Sequence, residues 1–177
     1  MAEITDFIEE AGEIANELEY LGMMPVLVGG MALVIIGSRR VTRDFDFLVS
    51  AEALDHKALL NIFYKRGLEL ASRVNKQGEI TATMDNKNIA AVRLRLDAPN
   101  SIYFFNKKTG LRIDLLFDFP FPAKEIAAHA QTKKVQSYVF RIASKKDLLR
   151  LKERASKDRG LSTDAQDLEF LKKLNNG

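Results

Sequence analysis

The chain has 177 residues and no cysteine, which excludes a disulfide framework and a zinc–thiolate site. Its 27 basic and 24 acidic side chains leave a net charge of +3, too mild to require a polyanionic partner. The acidic opening MAEITDFIEE lacks the charged n-region of a secretory signal, and the longest apolar run, residues 23–36, is broken by Pro25, Gly29 and Gly30. That run is shorter than the roughly 20 residues of a membrane span, so a cytoplasmic protein with no membrane partner is expected.

In chain order, Phe7, Ile8, Ile14, Leu18 and Leu21 recur at helical spacing and predict an amphipathic helix over 4–21, stopped by Gly22. Residues 25–28 predict a short buried strand, ended by Gly29 and Gly30. A helix follows over 31–36, closed by Gly37. Residues 44–49 alternate with period two and predict a strand. Ser50 is expected to cap a helix over 51–66 that stops at Gly67. The next stretch reads as short strands at 68–74, 80–84, 90–96, 102–106 and 111–117, the last two joined as a hairpin through Lys107–Gly110. A short helix over 124–131 and a strand over 136–143 follow. Ser144 caps a helix over 145–157. After a polar break at 158–163, Thr163 caps a last helix over 164–174. The sum is an α/β (α+β) mixture whose strand-rich middle and helical ends argue against a regular βαβ repeat. A single domain over 1–177 is expected, with a core of about 1–120 and a helical extension of about 121–177.

Two features carry chemistry. Asp44 and Asp46 lie two apart in a strand, so both point to one face while Phe45 and Phe47 point to the other. Their backbones are then about 6.6 Å apart, close enough for the carboxylates to converge on a metal pair. All-oxygen donors of this kind suit Mg²⁺. The competing reading is that Arg39, Arg40 or Arg43 pairs with the acids. Gly29 and Gly30, between a strand and a helix, let backbone N–H groups approach an anion. The competing reading is a packing turn that needs positive φ. No GK[ST] follows the glycines and no GxGxxG is present, so neither a P-loop ATPase nor a dinucleotide-binding dehydrogenase is supported. Asp114, alone among apolar residues in LRIDLLF, is the best third carboxylate, unless it merely pairs with Arg112 or Arg93. Asp118 is the fallback. His56 and His129 have neither metal-ligand spacing nor a nucleophile beside them.

With these residues in place, the chain resembles the DNA polymerase β-like nucleotidyltransferase superfamily, and Gly29-Gly30-Met31-Ala32 followed by Gly37, Arg40, Thr42, Asp44 and Asp46 resembles its AbiEii/AbiGii toxin type and minimal bacterial nucleotidyltransferases. Leu148–Lys152, then Asp164-Ala165-Gln166-Asp167-Leu168, resembles that family's closing helices, with Arg159 in the place of its arginine. The resemblance implies a mixed sheet flanked by helices. It implies two Mg²⁺ ions on Asp44 and Asp46, with Asp114 completing the metal site and helping to deprotonate an acceptor. It implies a nucleoside triphosphate held by Gly29, Gly30, Ser38, Arg40 and Lys152, and a cognate toxin or antitoxin partner.

Three functions are compatible with these residues. The first is a Mg²⁺-dependent nucleotidyltransferase that moves a nucleoside monophosphate to a hydroxyl of a protein, a tRNA end or a small molecule. The second is a nucleotide-binding partner protein without turnover; an Asp114 turned into the core or paired with Arg112 favours it. The third is a basic RNA-binding module, built on clusters such as Lys133–Lys134 and Lys145–Lys146, in which the acids are structural.

Overall fold

A computed structural model of the chain describes residues 4–52, 54–159 and 162–176. Among these residues, seven helices and eight strands alternate irregularly. They are α1 (Ile4–Tyr20), β1 (Val26–Val28), α2 (Gly29–Ile35), β2 (Phe45–Val49), α3 (His56–Tyr64), β3 (Glu69–Val74), β4 (Ile80–Met84), α4 (Lys87–Asp97), β5 (Ser101–Phe105), β6 (Arg112–Phe117), α5 (Ala123–His129), β7 (Gln131–Val135), β8 (Tyr138–Ile142), α6 (Lys145–Arg159) and α7 (Ser162–Asn176). All eight strands form one mixed sheet in the order β4-β3-β5-β6-β2-β1-β8-β7. β2 runs parallel to β6 and β1 parallel to β8, while the other neighbours are antiparallel.

The period-two pattern of β2 and β6 decides which side of the sheet is dry. Phe45, Phe47, Ile113 and Leu115 are all buried, as are Phe63 of α3 and Phe104 of β5. The Phe63 and Phe104 rings stack with centroids 3.7 Å apart. α1 enters the same core through Phe7, Ile14 and Leu18. This apolar layer fixes the register of β2 and β6, because a slip of one residue would exchange Phe45 and Phe47 for the intervening carboxylate.

Several local expectations change. The helix after β1 begins at Gly29, not Met31, so the glycines form its first turn. Ser50 does not start a helix. Its Oγ accepts from Glu52 N at 3.2 Å in a loop, and α3 begins at His56, where Asp55 Oδ1 accepts from Ala58 N at 3.1 Å. The expected strand at 90–96 is helix α4. The side chain of Asn86 accepts from the N–H groups of Asn88 and Ile89, and Ala90, Ala91 and Leu94 are buried at helical spacing. β7, exposed along nearly its whole length at the sheet edge, follows α5 directly. Ser144 caps α6 as expected, its Oγ accepting from Asp147 N at 3.1 Å. The polar break shortens, since α6 runs to Arg159 and α7 begins at Ser162. The side chains of Arg159 and Thr163 lie outside the described residues. No helix among the described residues is long and apolar enough to cross a membrane.

Candidate active site

The sheet's opposite face carries the acids. Parallel pairing sets Asp46 of β2 directly beside Asp114 of β6, and antiparallel pairing sets Tyr103 of β5 beside Asp114. The row from Val28 through Asp46 and Asp114 to Tyr103 therefore crosses four adjacent strands. The carboxyl groups of Asp46 and Asp114 are close enough to share a proton. Burial, reinforced by the negative charge of Asp114, pushes the Asp46 carboxyl up to about 8. Burial also raises Asp114, against the pull of Arg112. Asp44, exposed just before β2, is raised by desolvation while Arg112 and Arg40 pull it down.

Arg112 grips Asp114 in a fork: Nε donates to Oδ1 at 2.8 Å and Nη2 to Oδ2 at 3.1 Å. Its Nη1 donates to the Gly78 carbonyl at 2.6 Å, and its guanidinium lies 4.9 Å from the Tyr103 ring centroid. Of the two partners foreseen for Asp114, Arg112 is the one engaged; Arg93 pairs with Asp97 on the surface of α4 at 3.2 Å. Asp118 serves the backbone. Its Oδ2 accepts from Ala51 N at 2.9 Å and its Oδ1 from Ala123 N at 2.8 Å, tying the loop after β2 to the start of α5.

The glycine turn abuts the acids. Gly29 has φ +70°, and a Cβ there would lie 2.2 Å from Asp46 Oδ2. Only glycine allows both the left-handed backbone and this approach. A Cβ on Gly30 would lie 2.9 Å from Arg40 Cζ. Ser38 shapes the loop that delivers Arg40: its N–H donates to the Leu33 carbonyl at 2.9 Å, and its Oγ accepts from Arg40 N at 3.2 Å. Asp46 thus meets Gly29, and Arg40 meets Gly30.

Lys152 lies in the hairpin of α6 and α7. It is buried, with Nζ 3.2 Å from Asp164 and 3.0 Å from Asp167. Asp167 also pairs with Arg40, which lies against Gly30. The sequence pattern placed Arg40 and Lys152 in the site, whereas Asp167 entered only through the resemblance of the closing helices, without a role in the site. The signal was present in the three-residue separation of Asp164 and Asp167, which puts both on one face of a helix.

As donors, Asp44, Asp46 and Asp114 suit a hard divalent cation: all are carboxylates, and their crowding raises the cost of negative charge. Asp46 and Asp114 stand side by side, with Asp44 just before β2. Among the described residues, no group of three or more His, Cys, Asp or Glu is placed to hold a metal ion. Both oxygens of Asp114 are given to Arg112.

The mixed sheet, with its acidic pair on adjacent parallel strands beside a glycine turn, is a polymerase β-like nucleotidyltransferase fold. No protein-family model and no curated protein matches the chain. Among solved structures, it is similar to the lincomycin-bound lincosamide antibiotic adenylyltransferase LnuA, with TM-score 0.56 and 15% identity over 93% of this chain and 95% of that one. It is also similar to an antigenic nucleotidyltransferase-like protein from Paracoccidioides brasiliensis, with TM-score 0.55 and 15% identity over 95% of this chain and 76% of that one. JHP933 from Helicobacter pylori is similar with TM-score 0.51 and 17% identity, over 98% of this chain and 68% of that one. At these identities the likeness is one of fold.

Proposed function

We propose that the chain is a nucleotidyltransferase that moves a nucleoside monophosphate from a nucleoside triphosphate to a hydroxyl group. The observation that carries this reading is the packing of the Asp46–Asp114 pair against Gly29, which sets an acidic centre beside a glycine turn that also holds the Arg40 guanidinium. Gly29, Gly30, Ser38 and Arg40 would receive the triphosphate, with Lys152 supporting Arg40 from behind. The acceptor oxygen would attack the α-phosphorus, its proton passing to the Asp114 carboxylate, while the bond to pyrophosphate breaks. Such transfer depends on positioning and charge neutralisation more than on covalent help.

Mg²⁺ would be held by Asp44 and Asp46, joined by Asp114 once Arg112 yields one of its oxygens. When bound it would offset the charge of the phosphates. A small-molecule acceptor is supported by the similarity, over nearly the whole of both chains, to an antibiotic adenylyltransferase; a protein or tRNA hydroxyl meets the same chemical requirement. A place in a toxin–antitoxin pair rests on the residue pattern of 29–46 and is tested by growth arrest on expression that Asp46→Asn relieves.

The decisive experiment incubates the chain with each NTP and Mg²⁺ and measures pyrophosphate release and acceptor labelling, for the wild type, Asp44→Ala and Asp46→Ala. Equal activity in all three removes the proposal. A second reading, nucleotide binding without turnover, is favoured by the forked grip of Arg112 on Asp114. It predicts NTP-dependent thermal stabilisation with no pyrophosphate release from any variant.

A further inference from the structure

The C-terminal hairpin contains a buried row of alternating charge whose last member lies at the glycine turn. Asp164 and Asp167 of α7 are 1% and 2% exposed, and Lys152 of α6, between them, is 8% exposed. Lys152 Nζ lies 3.2 Å from Asp164 and 3.0 Å from Asp167. A buried carboxylate is costly without a partner. Asp167 has a second cation besides Lys152: Arg40 Nη1 donates to Asp167 Oδ2. Arg40 does not belong to the hairpin. It lies on the loop between α2 and β2, with its guanidinium carbon against Gly30 and its field reaching Asp44.

We infer that Asp167 is a positioning residue: it holds the Arg40 guanidinium over Gly30, so that the arginine is preset for the phosphates of a nucleoside triphosphate. Arginine suits this task because its planar fork can keep one N–H on a carboxylate while other N–H groups face a second anion. The Arg40 side chain retains 28% exposure, whereas that of Asp167 is 3% exposed, so a ligand reaches the arginine and not the acid. The aspartate therefore acts through the arginine. The two helices of the hairpin contribute to the site without lining it. This inference rests on the nucleotide reading above and adds to it a dependence on α7.

The test is a double-mutant cycle on ATP and inorganic tripolyphosphate binding, measured by calorimetry. Arg40→Gln is expected to weaken both ligands about tenfold, the loss of one charge-assisted hydrogen bond. Asp167→Asn keeps the shape, leaves Lys152 its pair with Asp164, and is expected to weaken both by a similar factor. The double variant is expected to bind no worse than Arg40→Gln alone, and Asp167→Glu to recover part of the loss. Leu171→Ala is the control for hairpin stability. It empties a buried position of α7 one turn beyond Asp167 without removing a charged group, and is expected to lower the Tm while Kd stays within about twofold. Wild-type affinity in Asp167→Asn, additive losses in the double variant, or an equal loss in Leu171→Ala overturns the positioning role. If the wild type binds neither probe, the nucleotide reading fails and the inference falls with it.

Discussion

Asp46 and Asp114 stand side by side on parallel strands, near enough to share a proton, with Gly29 against one of them and Arg112 around the other. This adjacency gives the chain a dependence on pH. An acid raised on folding keeps its proton in the folded chain where the unfolded chain has lost it. Its stabilising contribution is full below the ordinary value of 3.8 and is lost as pH rises through about 8. In metal-free buffer, Asp46→Asn is therefore expected to gain on the wild type between about pH 5 and about pH 9, by at least about 3 °C in Tm. Thermal unfolding of both proteins in EDTA checks this; a constant difference across the range refutes it.

Gly29→Ala meets two obstacles, a left-handed backbone and the Asp46 carboxylate. It is expected to cost about 1–3 kcal/mol and to displace Asp46. Gly22, which ends α1 at φ +79° with open space around it, provides the comparison. Gly22→Ala is expected to cost about 1 kcal/mol and to leave NTP-dependent stabilisation unchanged. Urea midpoints and thermal shifts with NTP separate the two.

Removing the fork on Asp114 should expose the strain in the acidic pair. Arg112→Gln is expected to cost about 1–3 kcal/mol, more at high pH than at low, because the arginine holds the Asp114 carboxyl down against burial. Arg112→Lys is expected to recover only part, since an ammonium cannot reproduce two parallel hydrogen bonds. Denaturation at two pH values, with pyrophosphate release measured alongside, reports both the stability and the catalytic consequence.

On the sheet face opposite the acids, Phe63→Ala is expected to cost about 3–5 kcal/mol, because the ring is fully buried against Phe104 and the surrounding sheet cannot collapse into the gap. Its folded fraction should still bind ATP with unchanged Kd if the phenylalanines serve only the core.

The parts of the site legible in sequence were those written in period two. Asp44 and Asp46 among phenylalanines, and Asp114 within LRIDLLF, announce strands with one dry face, and the dry face then fixes where the acids point. The same period misleads at α4. Val92-Arg93-Leu94-Arg95-Leu96 alternates, yet Leu96 is 76% exposed and the Asn86 cap commits the segment to a helix. β7 shows no alternation because an edge strand in water has no face to bury. Asp55 caps α3 where Ser50 was expected to, since either is a good cap residue and only the length of the loop decides. The junction of Arg40 with Asp167 joins opposite ends of the chain and leaves no local period to find.

β2 and β6 are neighbours in space, yet the whole of α3, β3, β4, α4 and β5 lies between them in the chain. That excursion leaves β2 after Val49, adds three strands to one side of the sheet, and returns at Arg112, two residues before Asp114. Lengthening such a detour costs only about 0.6 kcal/mol per doubling. Its outer turns, such as the one at Gly78 that receives Arg112, can thus be redrawn with the two carboxylates left in place. The fold separates a fixed pair of carboxylates from a replaceable rim.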